Sequence, residues 1–169
     1  INVKDGAKVV ATDTAPVASG SVVTLPIKKA KLWAPGSPFL YDVEFILKNA
    51  EGQVIDKVDS YFGMRKIHTV GNKIYLNNEP FYQRLVLDQG FYPDGIYTAP
   101  DDKELIADIE RSVAMGFNGA RLHEKVFEER FLYHADRLGY IVWGEFPNWG
   151  LDHSYADSIY GVLPEWLEE

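Results

Sequence analysis

Three mainly apolar runs separated by two capped amphipathic stretches constrain this chain more than any other feature. The runs are Phe81 to Leu87, Phe117 to Leu122 and Tyr140 to Trp143, a pattern of strands buried on both faces rather than of a half-solvated sheet. The first helical stretch opens at Thr98, with Asp101 three residues on in capping-box spacing and Pro100 in its first turn. It carries Leu105, Ile106, Ile109 and Val113 as an apolar stripe and meets Gly116 as a left-handed terminator. The second runs from Glu128 to Leu138, turns Phe131, Leu132, Ala135 and Leu138 inward, and stops at Gly139. Strand, helix, strand, helix, strand with short links predicts parallel pairing covered by helices. Right-handed crossovers then bring all three strand C-termini to one edge, where sheets of this kind collect function.

Up to about Ile67 the grammar is period two, and no window has helical spacing with caps at both ends. Strands are expected at Lys8 to Thr12, Ser21 to Ile27, Leu40 to Leu47 and Gln53 to Tyr61. Asn49 to Gly52 forms the turn of a hairpin, and Pro16, Pro26, Pro35 and Pro38 fall at connections or strand ends. The aromatic residues of this half, Trp33, Tyr41, Phe45, Tyr61 and Phe62, are assigned to core. A hairpin with its turn at Asn77-Asn78-Glu79-Pro80 follows. The expected organisation is therefore multi-domain, an all-β part over residues 1–67 and an α/β part over 68–169. The chain opens at Ile1 in what reads as mid-strand, with no signal peptide or membrane-length apolar segment, and so reads as an excised piece of a longer protein.

Charge narrows the partners. The 25 acidic against 17 basic residues are spread without a Lys/Arg block, so nucleic acid and anionic membranes have no electrostatic footprint here and a neutral substrate is expected. With no cysteine there are no disulfides or thiolate ligands, which suits a bacterial cytoplasm, periplasm or extracellular setting equally. No GxGxxG follows a strand, no spacing matches a zinc or EF-hand site, and no Ser-centred elbow occurs. Neither metal nor cofactor is expected.

The polar residues expected at the strand ends are Arg84 and Asp88 with the first strand, Arg121 and His123 with the second, and Glu145 with the third. Around one cleft they would supply fixed hydrogen bonds to sugar hydroxyls, with Tyr92, Trp143, Phe146 or Trp149 offering planes to C–H faces. The plainer reading pairs Arg84 and Arg121 with Asp88 or Glu145 in a structural ion network and makes His123 a satisfied loop histidine. Glu145, after Trp143-Gly144, is the strongest candidate for an acid facing substrate.

Four stretches in order resemble family 2 of the glycoside hydrolases, which holds β-galactosidases, β-glucuronidases and β-mannosidases. Lys31-Leu32-Trp33-Ala34-Pro35 with Pro38-Phe39-Leu40-Tyr41, and Tyr61-Phe62-Gly63-Met64-Arg65-Lys66, are similar to the start and end of the last hairpin of that family's immunoglobulin-like sandwich. Ile74 to Phe81 resembles the hairpin before its first barrel strand, and Asn118 to Trp143 resembles its first signature. The resemblance implies a partial sandwich followed by the first three β/α units of a (β/α)8 barrel. It also implies a retaining exo-β-glycosidase acting on terminal β-linked sugars, with no cofactor and with its catalytic glutamates downstream of this chain. Carried over by position, Arg84, Arg121 and His123 match wall residues of the active site, while Asp88 and Glu145 fall where members place sugar-contacting or supporting groups. Two departures stand out. The usual Asn-x-x-Arg-x-x-His-Tyr-Pro reads Asn118-Gly119-Ala120-Arg121-Leu122-His123-Glu124-Lys125, and the usual Arg-Gly-Val-Asn reads Arg84-Leu85-Val86-Leu87-Asp88-Gln89. Two rivals accompany this reading: a compact hydrolase using Asp88 and Glu145 as its carboxylate pair, and a non-catalytic carbohydrate-binding or adhesion module. A truncated barrel would also expose apolar edges through which copies could associate.

Overall fold

A computed structural model describes residues 1–18, 20, 22–145 and 147. The chain forms two compact units, Ile1–Phe81 and a second from Tyr82 onward.

In the first unit, β1 (Asn2–Asp5), β2 (Lys8–Thr12), β3 (Tyr41–Lys48) and β4 (Val54–Phe62) make an antiparallel sheet in the order β2-β1-β3-β4. Alternation divides its faces. Val3 sits opposite Val43, and both are buried together with Tyr41 and Trp33. The Tyr41 ring stacks on Phe62 at 5.3 Å, while its hydroxyl accepts the Lys31 amide at 2.8 Å. A Cβ on Gly63 would stand 3.2 Å from the Trp33 side chain, so glycine there admits the indole. On the opposite face Lys4 and Lys57 both close on Glu44, at 2.6 and 2.8 Å. Asn49 seeds the β3–β4 hairpin by accepting the Gln53 amide at 2.8 Å, and Gly52 supplies the positive φ.

Two expectations for this unit fail. Residues 22–27 form no strand, because β2 and β4 hold the sheet edges and the segment pairs with neither. Phe45 is exposed rather than core, lining an open hollow with Val17, Val23 and Val58. A second sheet, β5 (Ile67–Val70), β6 (Lys73–Leu76) and β7 (Glu79–Pro80), belongs to the same unit. Asn77 and Asn78, both at positive φ, turn it. The Asn77 amide donates to the Trp33 carbonyl at 2.9 Å, and its oxygen accepts the Lys66 amide at 3.0 Å. These bonds join the second sheet to Trp33 within the unit that ends at Phe81.

The second unit has β8 (Leu85–Asp88), β9 (Gly119–Leu122) and β10 (Ile141–Trp143), parallel and in the order β10-β9-β8, with α1 (Asp102–Ala114) and α2 (Glu129–Leu138) between them. The register Leu85↔Gly119↔Ile141 alternates faces. Ala120, Leu122, Val86 and Val142 pack with Leu105, Ile109, Phe131, Ala135 and Tyr140 in one core. Glycine at 119 is obligatory, as a Cβ there would meet the Ile141 carbonyl at 2.3 Å. Asp101, and not Thr98, caps α1 by accepting the Glu104 amide at 3.0 Å. Val113 and Leu132 point outward. Ser112 takes the inward place one residue before Val113 because its hydroxyl shares a 2.7 Å bond with the buried Tyr140 hydroxyl. No helix among the described residues is long and apolar enough to cross a membrane.

Two measurements test this account. Hydrogen bonds from Lys4 and Lys57 hold the Glu44 carboxyl well below its ordinary 4.5, down to about 2. A depressed carboxylate stabilises the folded form at pH values above its unfolded value, and that contribution is lost as pH falls from about 4.5 towards 2. Glu44→Gln should therefore flatten the acid limb of the urea midpoint over that window, and an unchanged limb would contradict the assignment. Asn118 donates to the Tyr82 carbonyl at 2.9 Å and accepts the Arg84 amide at 2.8 Å. Losing both bonds in Asn118→Ala should lower stability by about 2 kcal/mol in urea unfolding with m unchanged; no shift would show that Asn118 does not pin β8 to β9.

Candidate functional site

Parallel register decides which side chains meet at the sheet's C-terminal edge. Leu87, Arg121 and Trp143 lie opposite one another across the three strands, on the face away from the helices, and all three are exposed. Two residues further along each strand, the period-two rule brings Gln89, His123 and Glu145 to the same face as a second row. The contacts agree with that placement. The Gln89 amide nitrogen lies 2.8 Å from His123 Nδ1, and His123 Nε2 lies 3.7 Å from Glu145 Oε1. Arg121 holds the other Glu145 oxygen, Oε2, through Nε at 2.7 Å and a terminal nitrogen at 2.6 Å. The main chain closes the row, with the His123 amide donating to the Asp88 carbonyl at 2.8 Å.

The Gln89 amide nitrogen is a donor, so His123 Nδ1 accepts from it. Arg121 compensates the Glu145 charge and fixes its orientation. The row therefore presents an imidazole, a guanidinium at the face and a carboxylate. This mixture of fixed donors and acceptors suits a polyhydroxylated ligand.

His123, Glu124 and Glu145 also bring one ligand atom each within 4.8 Å of one another, a grouping that no sequence spacing suggested. Those three could hold a hard divalent cation. The Arg121 guanidinium on Glu145 works against it, since a cation gains nothing from a neighbouring positive charge.

The residues proposed from sequence separate into groups. Arg121, His123 and Glu145 come together. Arg84 does not: it precedes β8, and its guanidinium donates to the Gly116 carbonyl at 2.8 Å, at the N-terminal edge of the same sheet. Asp88 ends β8 at the right edge but alternates to the helix side, where its carboxylate accepts the Gly90 amide at 2.8 Å. Its charge is felt there by Lys125, Asp108 and Tyr140. An Asp88–Glu145 carboxylate pair is thus split across the sheet. Tyr92, expected as a sugar-facing plane, is buried with its hydroxyl 3.1 Å from Asp108, and burial pushes that hydroxyl's pKa up. Trp143 is exposed. Phe146 and Trp149 lie outside the described residues.

Gln89 and Lys125 were missed by sequence reasoning. For Gln89 the signal was available, two positions beyond Leu87 on the outward face. Lys125 carries no such signal. Its ammonium donates to the carbonyls of Gly90 at 3.1 Å and Tyr97 at 2.6 Å, partners brought to it only by the fold. Burial draws its pKa below the ordinary value of a lysine.

Comparison with known proteins gives this site its context. Residues 1–65 match the sequence model of the glycosyl hydrolases family 2. A β-glucuronidase of Paenibacillus borealis is 28% identical over 86% of this chain and 24% of its own length. A β-galactosidase of Leuconostoc mesenteroides is 31% identical over 70% of this chain and 11% of its own. The structure of Bifidobacterium dentium β-glucuronidase, solved with coumarin-3-O-glucuronide, superposes with a TM-score of 0.80 at 26% identity, covering 86% of this chain and 24% of that one. The chain spans about a quarter or less of the length of these proteins. With the family's pattern on its opening residues and these relatives and their fold matching most of its length, this chain is similar to the family 2 glycoside hydrolases.

Proposed function

We propose that the chain is the sandwich-to-barrel portion of a retaining exo-β-glycosidase that removes terminal β-linked sugars. In this reading the first unit is the closing part of an immunoglobulin-like sandwich. The second contributes the first three β/α units of a (β/α)8 barrel, whose substrate face is the C-terminal edge of the parallel strands. The observation that carries the reading is the row Gln89–His123–Glu145 with Arg121 locked on Glu145. It is a preorganised set of donors and acceptors at the one edge where barrel enzymes do their chemistry.

The row's task is to hold the sugar. Retention needs two carboxyls about 5 Å apart, one to protonate the leaving oxygen and one to attack the anomeric carbon. Asp88 faces the helices and Glu145 the open side, so the two do not form that pair. Both catalytic glutamates are assigned to barrel strands beyond this chain. His123 and Glu145 then bind hydroxyls of the terminal sugar, and Arg121 is a positioning residue that keeps the carboxylate aimed.

Two experiments test the assignment. The 169-residue chain, incubated with nitrophenyl β-glucoside, β-galactoside, β-mannoside and β-glucuronide, should give no turnover; hydrolysis would place the catalytic pair inside it. In the full-length protein, His123→Ala and Arg121→Ala should each lower kcat/KM by roughly 10²-fold through loss of substrate placement, with melting temperature little changed. Arg84→Ala, at the opposite edge, should leave kcat/KM near wild type. Equal losses at both edges, or none at either, would remove the row from the site.

A further inference from the structure

The loop from Gln89 to Ala99, joining β8 to α1, is held more firmly than a connection requires. Tyr92 and Ile96 exchange backbone hydrogen bonds at 2.8 and 3.0 Å, closing a tight turn over Pro93, Asp94 and Gly95. A Cβ on Gly95 would fall 2.0 Å from the Thr98 carbonyl, so the turn admits only glycine there. Tyr92 and Ala99 anchor the loop in the core. Lys125 ties both of its arms together through the Gly90 and Tyr97 carbonyls, its ammonium lying 4.8 Å from the Phe127 ring centre and 5.5 Å from that of Tyr97. Ile96 is held at φ 57°, a left-handed conformation that a β-branched side chain rarely adopts. Strain of this kind persists only where the surroundings over-determine it, and it concentrates at ligand clamps.

What this bracing holds out is a pair of aromatic rings. Phe91 and Tyr97 lie 4.6 Å apart, tilted by 38°, and are 58% and 52% exposed. The loop's own core contacts are made by Tyr92 and Ala99, so the outward rings contribute little to folding. Phe91 is two residues from Gln89, whose amide meets His123, and the Lys125 clamp is two residues from His123 itself. The rings thus stand exposed on the loop that Gln89 opens and Lys125 clamps, at the C-terminal end of β8.

Resting on the glycosidase reading, we propose that Phe91 and Tyr97 form a stacking platform for the leaving-group side of the substrate, either the flat face of an aryl aglycone or the C–H face of a second sugar ring. Aromatic faces are recognised by tilted or offset stacking on rings of this kind, while hydroxyls are left to the polar row. Lys125 is a positioning residue for the platform.

The test uses the full-length protein and three substrates sharing one terminal sugar: its methyl β-glycoside, its naphthyl β-glycoside and a β-linked disaccharide. In Phe91→Ala and Tyr97→Ala, kcat/KM should fall by about tenfold for the naphthyl glycoside or the disaccharide while the methyl glycoside is unchanged. Which of the two falls identifies the source of the flat face. Loss on all three substrates, loss on none, or a change in oligomeric state by sedimentation in place of a selectivity change would overturn the platform. Saturation-transfer NMR of the naphthyl glycoside on the same proteins needs no turnover. Ring transfer that disappears in Phe91→Ala supports the platform even if no glycoside is cleaved, and cleavage without ring transfer would sink the platform while leaving the glycosidase reading in place.

Discussion

The parallel register of β8, β9 and β10 is the constraint on which the second unit depends. It is held at one end by Asn118, whose side chain bonds to the main chain at both Tyr82 and Arg84, and along its length by Gly119, whose missing Cβ lets β9 close on the Ile141 carbonyl. A shift of one residue would turn every side chain over. Ala120 and Leu122 would leave the helix-facing core for the open face, and the Gln89–His123–Glu145 row would point into the helices. Core packing and site geometry are therefore one choice, enforced by the same few backbone contacts.

Around that register the charges are arranged by face. On the open side Arg121 meets Glu145, so the site carries a matched pair and an oriented imidazole rather than an uncompensated charge. On the helix side Asp88, Asp108 and Lys125 sit where desolvation matters, raising the pKa of Asp108 and lowering that of Lys125. Lys125 meets that cost with two carbonyls and three neighbouring rings, and its bonds order the loop above the strand ends. Rigidity at a rim of this kind favours a site built to receive one ligand pose, because the ordering is complete before binding.

Much of the fold was legible because it is written in short-range terms. The hairpin at Asn49–Gly52, the stop at Gly116 and the stop at Gly139 follow from φ preferences local to a few residues, and the strand–helix alternation follows from periodicity. Where reading failed, the deciding term was not local. Val22 to Leu25 has strand character but found no ladder to join. Ser112 displaced Val113 from the core because the Tyr140 hydroxyl, distant in sequence, needed a partner. Thr98 and Asp101 both suit a cap, and the fold put the first turn after the second of them.

The candidate site divides in the same way. The chain by itself determined that ionisable groups cluster at the ends of three apolar strands, and that Arg121, His123 and Glu145 are among them, because spacing along a strand is fixed by covalent geometry. Only tertiary structure decided which of the others belong. Arg84 went to the far edge because β8 starts after it and not before, and Asp88 went to the helix face because it falls one residue out of phase with Gln89. Lys125 entered through two carbonyls contributed by a loop more than twenty residues away in sequence. Facing direction and long-range partners are properties of pairing between strands, and no single strand carries the information that sets them.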